Sequence, residues 1–138
     1  MFFPKLTCLR IIQISTLVLF IDPISADTFI SEELQIFVTT ESSLVNLSLR
    51  ETHTLKLKFH TENGHRISQN IAIDANITMP EHGHGLDNNA SIKMFANDYF
   101  EISDLNFTMP GNWLLTIIFT SDNFYGDRIL IPISVGYD

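Results

Sequence analysis

The chain has 138 residues, a formal net charge of −8 at pH 7, and 45% hydrophobic and 11% aromatic residues. This length allows one domain of ordinary size and is too short for two separate hydrophobic cores. The net negative charge argues against binding of nucleic acid or of an anionic membrane surface, because both require clustered lysines and arginines. It favours a soluble domain and, where charge guides binding, a cationic ligand.

Residues 1–26 have the layout of a secretory signal peptide. Lys5 and Arg10 precede an apolar run from Ile11 to Ile21, and small residues follow that run. The run is shorter than the roughly 20 apolar residues that a helix needs to span a membrane. We expect this segment to direct export to the periplasm or cell envelope and to be cleaved, leaving a domain of residues 27–138. An uncleaved membrane anchor is the alternative.

The cysteine content indicates the same compartment. Cys8 is the only cysteine and lies inside the export segment, so the remaining domain has no disulfide, thiolate ligand or cysteine nucleophile. An exported domain without disulfides is more typical of a bacterial envelope than of a small eukaryotic secreted protein. The chain also lacks a nucleophile elbow, a Cys–His pair and a phosphate-binding loop, so we expect no catalytic activity.

Short segments of alternating apolar and polar residues predict β-strands along the rest of the chain. In the first half they cover residues 34–38, 45–49, 55–59 and 71–79, with polar turns at 39–43 and 61–64. In the second half they cover residues 91–95, 100–109 with a one-residue slip, 113–119 and 129–135, with loops at 81–89 and 121–127. Seven to eight short antiparallel strands in this pattern predict an all-β, immunoglobulin-like β-sandwich.

Three positions refine this prediction. A one-residue slip of the alternation at Ser103 and Asp104 predicts a β-bulge or a corner. The segment that begins at Trp113 is apolar on both faces, so we expect a central strand with the tryptophan in the core. Pro132 cannot donate a hydrogen bond to a neighbouring strand, so the last strand is expected at the edge of a sheet or at a bulge.

A Thr-Met-Pro sequence occurs twice, with Met79 and Met109 as its central residues, and each copy ends a predicted strand. Counting strand directions places both Met-Pro corners at the same end of the sandwich. His82 and His84 follow the first corner, so their imidazoles can converge with the two thioethers.

Two imidazoles and two thioethers form a soft to borderline ligand set. Such a set suits copper, in either oxidation state, better than it suits calcium or magnesium. Zinc is the other candidate, bound by His82 and His84 with a carboxylate from Glu81 or Asp87. Gly83 lets the backbone bend so that a His-x-His pair can chelate one ion.

The same residues also have a purely structural interpretation. Met79 and Met109 continue in-phase apolar series and therefore fit core positions, and a His-Gly-His loop fits a solvated turn. The other histidines, His53, His60 and His65, are scattered along the chain and are expected to be exposed and without a functional role.

Two linked motifs resemble those of the YtkA-like domain, a family similar to the exported FixH-type proteins. The motifs are M-P-E-H-G-H-G at 79–85 and L-N-F-T-M-P-G-N-W at 105–113, and the resemblance covers about residues 54–135. The positions that match the family pattern are Met79, Pro80, His82, His84, Gly85, Phe107, Met109, Pro110, Gly111 and Trp113. The resemblance implies an immunoglobulin-like sandwich in the bacterial envelope, with a role near copper handling or the maturation of a respiratory oxidase.

These observations lead to one main functional hypothesis and two alternatives. The main hypothesis is a periplasmic, non-catalytic β-sandwich that binds copper through His82 and His84, with Met79 and Met109 as further ligands and a metal-transfer protein as a partner. The first alternative is an accessory module without a metal of its own, which assists the assembly of an envelope membrane complex such as a respiratory oxidase or a cation transporter. The second is a small-molecule binder in the mouth of the sandwich.

Overall fold

The computed structural model describes residues 26–67, 70–86, 91–95, 99–121 and 124–137. The expected export segment therefore lies outside the described residues, except for Ala26, and so does the candidate zinc ligand Asp87. The described ranges contain β-strands and no helix, so they include no helix long and apolar enough to cross a membrane.

The described residues form nine strands in two antiparallel sheets. In chain order the strands are β1 (Thr28–Ile30), β2 (Ile36–Thr40), β3 (His53–Thr61), β4 (Ala72–Met79), β5 (His84–Gly85), β6 (Ser91–Phe95), β7 (Tyr99–Leu105), β8 (Gly111–Ser121) and β9 (Phe124–Val135). One sheet has five strands in the order β1-β2-β3-β7-β6, and the other has four in the order β5-β4-β8-β9.

Alternation along the strands builds a single core between the sheets, which confirms the predicted all-β sandwich. In β3, Leu55, Leu57 and Phe59 are buried while the lysines between them are exposed, because successive side chains of a strand point to opposite faces. The Phe59 ring packs edge-on against Phe119 of the opposite sheet, with ring centroids 5.8 Å apart. The two inner faces thus interdigitate as in a layered sandwich.

Several predicted details are confirmed. β8 lies between β4 and β9, and Trp113 on its inner face is buried. β7 has one residue more than β3 between the pairs Leu105–His53 and Ile102–Leu55, so the predicted bulge is present. Asp104 has a φ of 62° there, which turns the chain out of the extended conformation.

The predicted strand at 45–49 is wrong. Asn46 has a φ of 56°, a left-handed conformation that interrupts an extended chain, and Leu47 forms a single parallel bridge with Val135. Instead of forming a strand, this segment covers the end of β9, since Ser134 donates its backbone N–H to the Leu44 carbonyl and accepts one from Leu47. Leu47 and Leu49 pack against the core without sheet pairing, and Val45 is 59% exposed.

Three further differences concern strand boundaries. β1 forms at Thr28–Ile30, where no strand was predicted, and Phe29 pairs with Val38 of β2. β5 forms inside the expected loop at 81–89. In the expected loop at 121–127, β8 continues to Ser121 and β9 begins at Phe124. Pairing with β4 thus extends a sheet into His84 and Gly85, whose own strand preference is weak, whereas β1 consists of residues that strands favour.

Pro132 lies on β9, which pairs with β8 and forms an edge of the four-stranded sheet as expected. The backbone N–H of Ser134 points away from β8, towards Leu44. The backbone nitrogen of Pro132, two residues away, also points away from β8. The missing N–H of the proline therefore costs no hydrogen bond between β8 and β9.

The start of β8 lies close against the end of β4. A Cβ atom added at Gly111 would be 2.7 Å from the terminal methyl carbon Cε of Met79, and Gly111 has a φ of +131°. The backbone conformation therefore favours glycine here, and a larger residue would also force the methyl end of Met79 to shift.

Hydrogen bonds of Asp127 hold the connection between β1 and β2 against the sandwich. Its carboxylate is buried and accepts backbone N–H groups from Leu34 and Arg128, each at 2.8 Å. Burial alone would raise the pKa of Asp127, but hydrogen bonds from the Ser31 side chain and the Leu34, Arg128 and Glu33 backbones lower it, and the net pKa is below the ordinary value.

We predict that Asp127→Asn lowers the free energy of unfolding by about 1–3 kcal/mol at pH 7, because charged hydrogen bonds are lost. The carboxylate has a lower pKa in the folded than in the unfolded chain, so its contribution is complete above about pH 4 and is lost as the pH falls through the folded-state value. Urea unfolding between pH 2 and pH 7 should therefore show a smaller loss of stability in acid for the variant. Asp74→Asn, at an exposed position on β4, is the control. Equal stability of Asp127→Asn and the wild type at pH 7 would contradict this role.

We predict that Gly111→Ala destabilises the domain by about 1–3 kcal/mol, because the added methyl group overlaps Met79 and the backbone conformation is unfavourable for alanine. Gly136→Ala is the matched control, since its Cβ would meet nothing closer than 3.9 Å, and it should change stability by less than about 0.5 kcal/mol. Thermal unfolding of the two variants measures the difference, and similar midpoints would show that the Met79 contact does not limit this position.

Candidate functional site

The turn between β4 and β5 positions the two candidate histidines. The Met79 carbonyl accepts backbone N–H groups from His82 at 3.1 Å and Gly83 at 3.0 Å. Gly83 has a φ of 68°, the left-handed conformation that glycine adopts without steric cost. The chain reverses within four residues, so that Met79 and His84 are directly paired across the hairpin.

Met79 and His84 present their side chains on the same face of the sheet, because directly opposite residues in an antiparallel pair do so. Met79 is 2% exposed, so this is the inner face, and His84 is half-buried at its rim. The Cβ atoms of such a pair lie about 4.5–5.5 Å apart. The thioether of Met79 is therefore both a core side chain, as its alternation predicts, and a neighbour of the His84 imidazole.

The second Met-Pro corner lies in the connection between β7 and β8. The indole Nε1–H of Trp113 donates to the main-chain oxygen of Met109 at 3.0 Å, which fixes this corner against the first residues of β8. Met109 is half-buried against the core. Because Met79 touches Gly111 immediately after this corner, both Met-Pro corners lie at the same end of the sandwich, as predicted. We call this end, with His82, His84, Met79, Met109 and Trp113, the corner pole.

A continuous row of rings crosses the corner pole. Successive ring centroids are 6.0 Å apart for His82 and His84, 5.6 Å for His84 and Trp113, 5.2 Å for Trp113 and Phe107, and 5.9 Å for Phe107 and His53. The His84–Trp113 contact is edge-to-face, with an interplanar angle of 79°. The row joins an exposed histidine, His82, to the buried indole, so the site has one wet side and one apolar side.

The nitrogen atoms of His84 have distinct roles. Nδ1 lies 2.9 Å from the carbonyl oxygen of Gly85, which can only accept, so Nδ1 carries the proton and donates. In the neutral ring Nε2 then keeps its lone pair and can bind an electrophile such as a metal ion. An outer hydrogen bond of this kind is what usually orients a metal-binding imidazole.

The described part of the corner pole does not contain the carboxylate ligands of a usual zinc site. Among the described residues, no group of three or more His, Cys, Asp or Glu side chains is arranged to hold a metal ion. The pair of histidines is thus not completed by the carboxylate of Glu81. The further ligands that the described residues can offer are thioethers and main-chain oxygen atoms.

The expectation that the other histidines are exposed is wrong for two of the three. His53 is half-buried, donates Nε2–H to the Ser48 carbonyl at 2.7 Å and packs on Phe107. It is in phase with the buried residues of β3, so the alternation already indicated an inward position. His60 stacks on Phe37 of β2 with ring centroids 5.4 Å apart, and its Nδ1 is buried and has no hydrogen-bond partner among the described residues. No pattern in the sequence predicted this contact, since it depends on the register of β2 against β3.

One crevice between the sheets is too small for a ligand. It is lined by residues of both sheets, including Phe59, Ala75 and Phe100, and has a volume of about 10 Å³. Even a single water molecule needs at least about 10–15 Å³ on this measure. A small molecule could enter this crevice only if the sheets separated.

Comparison with known proteins identifies a family but no individual relative. No curated protein and no solved structure matches the chain significantly. The sequence profile of the YtkA-like family matches residues 30–117, a range that includes both Met-Pro corners. The matched range begins and ends earlier than the range of about 54–135 expected from the motifs. The match spans well over half of the chain, so this protein belongs to the YtkA-like family.

Proposed function

We propose that this protein is an exported, non-catalytic domain of the bacterial envelope that binds a copper ion at the corner pole. His82 and His84 are the principal ligands, and Met79 and Met109 are the candidate thioether ligands. The observation that carries the proposal is the pair of histidine rings, with centroids 6.0 Å apart, in which the Nδ1 hydrogen bond of His84 leaves the lone pair of the neutral ring on Nε2.

The spacing of the two rings fits a shared ion. A metal–imidazole bond is about 2.0–2.1 Å long, so two rings that bind one ion from opposite sides have centres roughly 6 Å apart. His82 is exposed and can rotate about its side-chain bonds, whereas His84 is held by Gly85 and Trp113. One ligand is therefore fixed in advance and the other closes onto the ion.

The composition of the ligand set favours copper over other metals. Imidazole and thioether are ligands that copper accepts, whereas calcium and magnesium require several oxygen ligands. Zinc remains the second metal, because it also binds imidazole well, but its usual sites contain four protein ligands or three with a water molecule. The described part of the corner pole supplies two imidazoles and no third His, Cys, Asp or Glu side chain arranged with them.

The N-terminal segment and the net charge support the proposed export to the envelope. Residues 1–26 have the layout of an export signal, and a domain without cysteine loses nothing in an oxidising compartment. The net charge of −8 attracts cations and disfavours nucleic acid. A metal-transfer protein of the envelope is the natural partner for a copper site that is half open to solvent.

A second candidate function is docking onto an envelope membrane complex without a metal. The outer face of the four-stranded sheet favours it: Leu114 and Ile118 are half-buried there, Leu130 is 47% exposed, and Pro132 lies opposite Leu114. An apolar stripe on an outward face is typical of an interaction surface. In this function the histidines at the corner pole would have no direct part.

We predict that His82→Ala/His84→Ala lowers copper affinity by more than about 100-fold, because both imidazole ligands are removed. Loss of an outer hydrogen-bond partner of a metal ligand alone costs roughly 10- to 100-fold. The measurement is a titration of the purified protein with Cu(I), Cu(II) and Zn(II) against competing chelators. His65→Ala is the control, because His65 is exposed in the turn after β3 and should leave affinity unchanged.

Equal copper affinity in the wild type and the double variant would refute the metal site. If a membrane complex then co-purified equally well with both proteins, the docking function would replace it, and substitutions of Leu130 should weaken that association.

A further inference from the structure

We infer that the corner pole is selective for Cu(I) and that Met79, rather than Met109, is the thioether ligand that makes it so. This inference rests on the copper site proposed above and assigns its oxidation state and third ligand. It follows from the position of Met79, the apolar wall formed by Trp113, and the absence of a carboxylate arranged with the two histidines in the described residues.

Met79 is the thioether nearest the histidines by strand register. It is paired with His84 across the β4–β5 hairpin, so the two side chains are neighbours on one face. Met109 is connected to the histidines through the indole of Trp113, which donates its N–H to the Met109 main-chain oxygen and contacts the His84 ring. The register places the Met79 side chain beside the His84 imidazole, whereas Met109 is linked to the histidines only through its main-chain oxygen and the Trp113 indole.

The side chain of Met79 is also held in place before any ion binds. It is 2% exposed, and its methyl carbon is packed so closely on Gly111 that no Cβ would fit between them. A long, unbranched side chain usually has several conformations available. Here the packing restricts them, so the thioether needs little reorganisation to act as a ligand.

The surroundings of the site favour Cu(I), the copper ion of lower charge, over Cu(II). Thioether sulfur is a soft ligand that selects Cu(I), whereas Cu(II) prefers a tetragonal set of nitrogen and oxygen ligands. Transfer of a doubly charged ion from water to an apolar site costs more than transfer of a singly charged one. Trp113 is 1% exposed and covers His84 from the inner side, which limits the water available to complete a tetragonal shell.

The test compares Met79→Leu with Met109→Leu, using Cu(I) and Cu(II) as separate probes against chelators suited to each ion. Leucine conserves the volume and apolar character of methionine, so both variants should fold, which circular dichroism and thermal unfolding confirm. We expect Met79→Leu to lower Cu(I) affinity at least tenfold and to leave Cu(II) affinity within about twofold, because only Cu(I) gains from the sulfur. Met109→Leu should leave both within about twofold of the wild type.

X-ray absorption of the Cu(I)-loaded protein gives a second measurement. Copper–sulfur scattering should be present in the wild type and in Met109→Leu, and absent in Met79→Leu. Equal loss of Cu(I) and Cu(II) affinity in Met79→Leu, or a selective loss in Met109→Leu instead, would overturn the inference. Those outcomes differ from failure of the proposed function, in which His82→Ala/His84→Ala binds copper as tightly as the wild type or the wild type binds neither ion.

Discussion

The contact between Met79 and Gly111 is the constraint on which the corner pole depends. It joins the last residue of β4 to the first residue of β8, where a Cβ atom on residue 111 would be 2.7 Å from the methyl carbon of Met79. This contact holds the first Met-Pro corner against the second. The turn at Gly83 then returns β5 alongside β4, so that His84 faces inward beside Met79 and contacts the Trp113 ring.

Much of the architecture could be predicted from alternation alone. The inward residues of β3, the central position of β8 and the edge position of β9 all follow from which side chains must avoid water and which residue cannot donate a hydrogen bond. The segment around Asn46 is an exception to this reasoning, because it is an irregular chain that covers β9. Leu47 and Leu49 of its alternating series pack on the core, but Val45 is 59% exposed. Apolar alternation therefore does not by itself show that the backbone between the residues is paired.

Only some features of the candidate site could be predicted from the sequence. The approach of the two Met-Pro corners followed from strand directions, and the alternation indicated that Met79 is buried. The hydrogen bond that assigns the proton of His84 and the stacking of His60 on Phe37 depend on turn geometry and strand register, which single-residue patterns do not encode. His53 lies between these cases, since its phase along β3 was visible but its partner Phe107 was not.

The edge of the four-stranded sheet has a consequence for how this protein can associate with others. An incoming strand that tried to extend the sheet beside β9 would meet Pro132, which has no N–H to offer, and then the chain's own segment at Leu44 and Leu47, which already occupies Ser134. Continuous growth of the sheet from copy to copy is therefore blocked at two adjacent places. Unprotected edges can seed insoluble cross-β assemblies, so the edge at β9 is closed to this kind of association. Beside β9, contact with other molecules is left to the outer face of the sheet.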